Sequence, residues 1–279
     1  MVRPYAVKGR KRKRKEEFVD RGEDPEEHGT EDEATLEDEA TQGDDNDAKE
    51  GEEVLEELPG IPIVPSKQTS NGGVIFVLEK ASLEVAKVGK TYQILNSDDH
   101  ANYLRKHKRD PAEYRPDIVH QALLAILDSP LNKAGRLRAL YVRTEKGVLF
   151  QVKPHVRMPR TFKRFSGLML QLLQKLSVTA SGKREKLLQV IKNPVTRYLP
   201  VNSRKIGLSH SSEKLVQMRD YVAAASDDVD LVFVVGALAH GKIDRDYTDD
   251  FISVSGYPLS AACCIGRICN ALELKWNIL

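Results

Sequence analysis

Cysteine, aromatic side chains and long apolar runs are all scarce in this chain. Only three cysteines occur in 279 residues, Cys263, Cys264 and Cys269, and all fall in one C-terminal apolar stretch. Their spacing fits neither a zinc site nor a disulfide framework. Buried free thiols in a reducing compartment are the expectation. No apolar run reaches membrane-spanning length, and the N-terminus is charged rather than signal-like. A soluble intracellular protein is therefore expected, without a membrane or metal partner. Aromatic residues make up 6% of the chain, and no stacking platform of the RRM type is visible. There is no internal repeat, no nucleophile triad and no metal-ligand cluster. Chemistry, if this chain performs any, has to come from a bound cofactor.

Charge is present in abundance but unevenly placed. The formal net charge is only +2. Up to Glu57, ten Lys and Arg face twenty-one Asp and Glu, while the rest holds thirty-three basic and twenty acidic residues. An acidic tail of net −11 thus precedes a body of net +13. A basic body points to a polyanionic partner, most simply nucleic acid; a lysine-rich solvated surface is the alternative. Residues 1 to about 70 read as a disordered tail, with a basic cluster at 8–15 and an acidic run at 16–57 too poor in apolar residues to support a core. The cluster suits a nuclear import signal or a non-specific RNA contact.

Folded structure should begin near Gly73, giving one domain over 71–279. Val74–Leu78 reads as a buried strand, with a helix or two following up to about Arg105. Pro116 can open an apolar helix that turns Ile118, Leu123, Leu124, Ile126 and Leu127 inward and stops at Asp128-Ser-Pro130. Strands at 140–143 and 148–152 flank Lys146-Gly147 as a hairpin. Thr161 is placed as the N-cap of a helix to about Leu176, with Phe165, Leu168, Met169, Leu172 and Leu176 on its inner face. Beyond it, helices at 186–191, 213–224 and 259–274 alternate with strands at 205–208, 230–235 and 252–254. That alternation argues a mostly parallel α/β sheet.

The strand Leu231–Val235 empties into Gly236-Ala-Leu-Ala-His-Gly-Lys242, and a second short strand leads to Pro258. Two strand ends bearing small-residue loops are where α/β proteins bind ligands. The first loop superficially fits a phosphate-binding G-x-x-x-x-G-K-[ST] pattern. Ile243, however, stands where a magnesium-holding hydroxyl is needed, and Asp244, Asp246, Asp249 and Asp250 would repel a triphosphate. A P-loop is the weaker reading.

A second signal is Arg157-Met-Pro-Arg-Thr-Phe-Lys-Arg164. Cations are disfavoured at a helix N-terminus, so stacking them there makes sense when a phosphate occupies the site. Arg157, Arg160, Lys163 and Arg164 are thus candidate RNA contacts, and Arg115, Arg136 and Arg138 could extend that surface; solvated or tail-paired arginines are the plain alternative. Asp117 falls in the first turn of the apolar helix, where a capping role competes with a catalytic one.

Taken together, 115–121, 127–135, 157–169, 187–194, 235–242 and 257–261 resemble the eukaryotic small-subunit rRNA pseudouridine-N1 methyltransferases. These are SPOUT-class ribosome biogenesis factors of the Nep/Emg type, and the likeness runs over residues 73 to 279. The resemblance implies a SPOUT fold with a deep C-terminal trefoil knot, helices on both faces of the sheet and family-specific insertions. It also implies bound S-adenosyl-L-methionine, an obligate homodimer and a nucleolar role in small-subunit assembly. Partners would be small-subunit pre-rRNA, ribosome assembly factors and a small-subunit ribosomal protein. It places the cofactor against Leu208, Gly236, Gly241, Val254, Ser255, Gly256, Tyr257, Pro258 and Leu259, and RNA against Arg115, Arg157, Arg160 and Arg164. Asp117 becomes the candidate to orient the nucleobase or accept its proton, with Arg115 as counter-charge. Gly256 departs from the family, which usually has Asn there. A non-catalytic pre-rRNA-binding assembly factor using the same arginines is the alternative.

Overall fold

The computed structural model describes residues 72–180 and 184–278; the basic cluster at 8–15 and the acidic run at 16–57 lie outside them. The first strand, β1 (Val74–Ala81), buries seven of its eight residues. A strand covered on both faces needs neighbours on both edges, and β1 has them. It pairs in parallel with β4 (Leu137–Thr144) on one side and β9 (Asp230–Gly236) on the other. Outside β9 lie β8 (Ser203–Leu208) and then β10 (Asp250–Ile252), both parallel. Beyond β4 the sheet turns antiparallel through β5 (Leu149–Val152), β7 (Lys186–Ile191) and β6 (Ser177–Thr179). The order is β10-β8-β9-β1-β4-β5-β7-β6. The expected hairpin forms, with Leu140 opposite Val152 and Gly147 at φ 80° in its turn.

One face of the sheet presents Phe76, Leu78, Val142, Phe233 and Val235 to a large core. Five helices supply the other half: α2 (Pro116–Leu127) through Leu123 and Ile126, α3 (Pro130–Lys133) through Leu131, α4 (Phe162–Lys175) through Phe165, Leu168 and Met169, α5 (Met218–Ala223) through Val222, and α6 (Ala261–Lys275) through Ile265 and Ile268. The opposite face carries Ile75, Val77, Tyr141, Val232 and Val234, and is met by Val195, Leu199 and Ile243. Helices on both faces are therefore not what the described residues show. The segments covering the second face, a 3-10 turn at Val195–Tyr198 and the connection after β9, lack an apolar 3.6-residue period.

Several element assignments are corrected. The stretch read as helical before Arg105 begins with a hairpin, β2 (Val85–Val88) and β3 (Thr91–Ile94), turned at Gly89-Lys90; only α1 (Ser97–Lys106) is helical. Gly89 at φ 62° supplies the turn that the helical reading overlooked. The 186–191 segment is a strand between β5 and β6, because six residues are too few to fix a period and sheet pairing decides. Of 213–224, only α5 is helical. Its first part runs extended beside Ser253, with the Ser253 amide donating to Lys214 and the Val216 amide to Ser253 at 2.8 and 2.9 Å. The strand placed at 252–254 ends at Ile252. In α2 the inner positions go to Val119 and Ala122, with Ile118 and Leu124 half-buried; in α4 Leu173 is buried instead of Leu176. Thr161 occupies the N-cap of α4 but its side chain makes no capping bond, whereas Ser260 accepts from the Cys263 amide at 3.2 Å to cap α6.

Candidate functional site

The parallel half of the sheet directs the carboxyl ends of β8, β9 and β10 to one rim, and a cavity of about 500 Å³ opens there. Leu208 from β8, Gly236 from β9 and Gly241 from the following loop line it, together with Val254, Ser255, Tyr257 and Leu259. Arg115 and Asp117, from the start of α2, reach the same cavity. Nine of the residues singled out from sequence thus converge on one place. Gly256 faces a neighbouring groove, and Pro258 lines neither space. Loop residues Ser209, His210 and Ser211, wall residues Leu238, Ala239 and Ile243, and Cys264 on α6 also line the cavity. Their signal in the sequence was positional: each follows or faces a strand end.

Glycine is required by backbone conformation at Gly241, whose φ of 107° strains side-chain-bearing residues; a Cβ on Gly236 would lie 2.5 Å from Leu238 Cδ2, so that leucine would have to turn aside. At Gly256, by contrast, an added Cβ meets nothing within 4 Å. The 253–257 loop is held by its own hydroxyls: Ser253 Oγ donates to the Ser255 carbonyl at 2.8 Å, and Ser255 Oγ accepts from the Tyr257 amide at 3.0 Å. A cradle of turned main chain with apolar walls suits an uncharged ring system and a thioether better than a triphosphate. After Gly241-Lys242 the chain continues as coil to β10, without the helix a phosphate-binding loop opens onto, which sets the P-loop reading aside.

Besides Lys242, the charged groups at the cavity are one ion pair. Arg115 Nε and Nη2 donate to Asp117 Oδ1 and Oδ2 at 2.8 and 2.7 Å, a bidentate fork. The hydrogen bonds from Arg115 hold the Asp117 carboxyl below its ordinary range, against the opposing effect of burial. Asp117 is accordingly a fixed anion that aims Arg115, a geometry that favours orienting over accepting a proton.

The remaining arginines run along α2 rather than into the cavity. Arg160 Nη2 reaches Asp128 at the far end of α2, at 3.3 Å. His120 Nε2 lies 2.8 Å from the Pro159 carbonyl, which can only accept, so that nitrogen carries the proton. The ring stacks on Phe165 at 4.4 Å. Arg157 and Arg160 border a small hollow beside Leu124 and Asp128, and Arg164 follows in the first turn of α4. The basic segment therefore lies beside α2 as a track whose other end is the Arg115 pair.

The three cysteines form no disulfide, but they are not uniformly buried: Cys263 is exposed, because the outer face of α6 turns it to solvent. Burial pushes the Cys264 thiol up to about 11 and the Cys269 thiol to about 12. Among the described residues, no group of three His, Cys, Asp or Glu could hold a metal, and no helix is long and apolar enough to cross a membrane.

A family model described as EMG1/NEP1 methyltransferase matches residues 76–273. The chain is 53% identical over 206 residues to the ribosomal RNA small subunit methyltransferase NEP1 of Mus musculus, covering 74% of this chain and 83% of the relative. The Homo sapiens protein of the same name is 51% identical over 206 residues, with the same coverage. The crystal structure of Archaeoglobus fulgidus Nep1 bound to S-adenosylhomocysteine superposes with a TM-score of 0.55 at 22% identity. That likeness covers 74% of this chain and 99% of the other, and it shows a shared fold.

Proposed function

The chain belongs to the EMG1/NEP1 methyltransferase family, and we propose that it methylates N1 of a pseudouridine in small-subunit rRNA. Methyl transfer from S-adenosylmethionine to small-subunit rRNA follows from the family and from relatives that carry that activity in their names. The pseudouridine, its N1 and the residue roles are our reading. The observation that carries it is the convergence of the glycine-turned, largely uncharged wall and the Arg115–Asp117 fork on one cavity.

The residues present fit the donor. Gly236 and Gly241 let main chain approach closely, and Leu208, Val254 and Leu259 offer apolar contact to an adenosine. Main-chain groups of 236–241 and 254–259 would hold it, including Gly256 and Pro258 through the loop's backbone. When bound, the sulfonium supplies an electrophilic methyl group. The chain's own residues then supply alignment, which accounts for much of the acceleration in such transfers. As a new N–C bond formed and the C–S electron pair returned to sulfur, pseudouridine N1 would release its proton to solvent water, since both Asp117 oxygens are engaged by Arg115. Arg115 stabilises the anion that develops on the ring, and Asp117 fixes where the guanidinium points. Arg157, Arg160 and Arg164 hold the phosphates of flanking nucleotides.

Four further assignments belong to this reading. A homodimer would close the groove beside the cavity, where Leu215, Tyr257 and Leu274 are 60%, 79% and 55% exposed. A C-terminal trefoil knot is consistent with the 209–217 segment crossing beside Ser253. Small-subunit pre-rRNA, assembly factors and a ribosomal protein are the partners, with nuclear and nucleolar residence directed by residues 8–15. A reporter fused to residues 1–16 that stays cytoplasmic would remove the import role. Calorimetry with S-adenosylhomocysteine tests the cavity directly. One site per chain, lost on filling it by Ser255→Trp, is expected; absence of binding would leave a pre-rRNA-binding assembly factor without catalysis.

A further inference from the structure

Glu79 and Lys80 lie near the end of β1, and these adjacent residues touch the connection between β9 and β10 at its start, middle and end. The Ala237 amide donates to the Glu79 carbonyl at 2.8 Å. The Lys80 ammonium donates to the Lys242 carbonyl at 2.7 Å and sits 3.3 Å from Asp244 Oδ1. The Tyr247 hydroxyl donates to Glu79 Oε1 at 2.6 Å, and Arg143 Nη1 stands 3.6 Å from Oε2. Between these anchors lie Leu238, Ala239, Gly241, Lys242 and Ile243, the stretch that forms one wall of the cavity.

The arrangement is costly to build. Glu79 is 3% exposed, and a buried carboxylate needs partners to be tolerated. Its partners come from the loop and from β4, and it lies outside the cavity lining. Burial first, and the Glu79 charge second, push the Tyr247 phenol far above its ordinary range, so it remains a donor. Lys80 adopts φ 56°, a conformation residues with side chains seldom take, and from there its ammonium reaches Lys242.

We propose that Glu79, Lys80 and Tyr247 are positioning residues that hold the 238–243 wall in the shape that admits S-adenosylmethionine, setting donor affinity without touching the donor. This rests on the donor-site reading of the cavity. Tyr247→Phe removes one hydroxyl and should weaken S-adenosylhomocysteine binding roughly tenfold, the scale of one hydrogen bond to a charged acceptor. The KM for S-adenosylmethionine should rise by the same factor while kcat at saturation and RNA affinity hold. Glu79→Gln keeps an acceptor for the phenol and should retain most affinity; Glu79→Leu should match Tyr247→Phe. Lys80→Gly relieves the backbone and deletes the ammonium. It should hold or raise Tm while weakening donor binding about threefold, opposite signs that a general loss of packing would not give. Wild-type binding together with unchanged affinity in Tyr247→Phe and Lys80→Gly would overturn the inference alone. A wild-type chain that binds no S-adenosylhomocysteine would overturn the donor-site reading and this inference with it.

Discussion

Asp117 gives both carboxylate oxygens to Arg115, so its value lies in where it aims that guanidinium. Asp117→Asn leaves a weaker partner and frees the fork to wander. Methyl transfer at saturating donor should fall by about a hundredfold, the lower end of the range seen when an electrostatic stabiliser is lost. Affinity for S-adenosylhomocysteine should stay at the wild-type value. Single-turnover transfer beside calorimetry separates the two; full activity in a folded variant would remove the role. Gly256 offers the converse case. Its Cβ position opens on free space, so Gly256→Asn should fold with stability within about 0.5 kcal/mol of wild type in a thermal melt. Gly256 faces the groove rather than the larger cavity, so the added side chain should leave donor binding unchanged.

Among the elements, β10 is held to its neighbours by side-chain pairing. Asp250 accepts from Lys214 Nζ at 2.5 Å, the Tyr221 hydroxyl at 2.8 Å and Arg204 Nη2 at 3.2 Å, tying β10 to β8 and α5. Burial works against its ionisation, but the bonds from Lys214 and Tyr221 prevail and take its carboxyl down to about 2. A depressed carboxyl stabilises the fold fully above its unfolded value and ceases to as the pH falls through its folded value. Between about pH 4 and pH 2 the wild type should lose on the order of 1 kcal/mol from this group after solvent screening. Urea denaturation across that window checks it, and Asp250→Asn should flatten that component of the curve. These elements also show how far the chain could be read beforehand. The strands β1 and β9 and the helix after Pro116 announced themselves through short apolar runs, and the glycine loop through its punctuation. β7 and the β2–β3 hairpin did not, because short half-buried segments take their form from pairing partners distant in sequence. The Glu79–Tyr247 bond spans 168 positions, and no local pattern could have revealed it.

For the whole molecule, the charge separation between residues up to Glu57 and the rest makes the body a cationic surface for RNA. Arg157, Arg160 and Arg164 fall in the segment beside α2, and Arg115 stands at the start of α2 on the cavity. Replacing Arg157 and Arg160 together by alanine should lower the slope of log K against log salt by roughly 1.4 to 1.8, the release from two phosphate contacts. Donor affinity should not change, because neither residue lines the cavity. The exposed Leu274 lies in the groove assigned to a second copy, so Leu274→Asp should shift the chain toward a monomer in sedimentation analysis. An unchanged mass would place any dimer contact elsewhere.

If this cavity presents a methyl donor to N1 of pseudouridine, methyl transfer itself reports it. Purified chain, S-adenosylmethionine and matched small-subunit rRNA oligonucleotides carrying either pseudouridine or uridine should be followed by nucleoside mass spectrometry. N1-methylpseudouridine from the first oligonucleotide and no methylated base from the second is the predicted result. A methyl group on both, on the ribose of either, or on neither despite measured binding of donor and RNA, would contradict it.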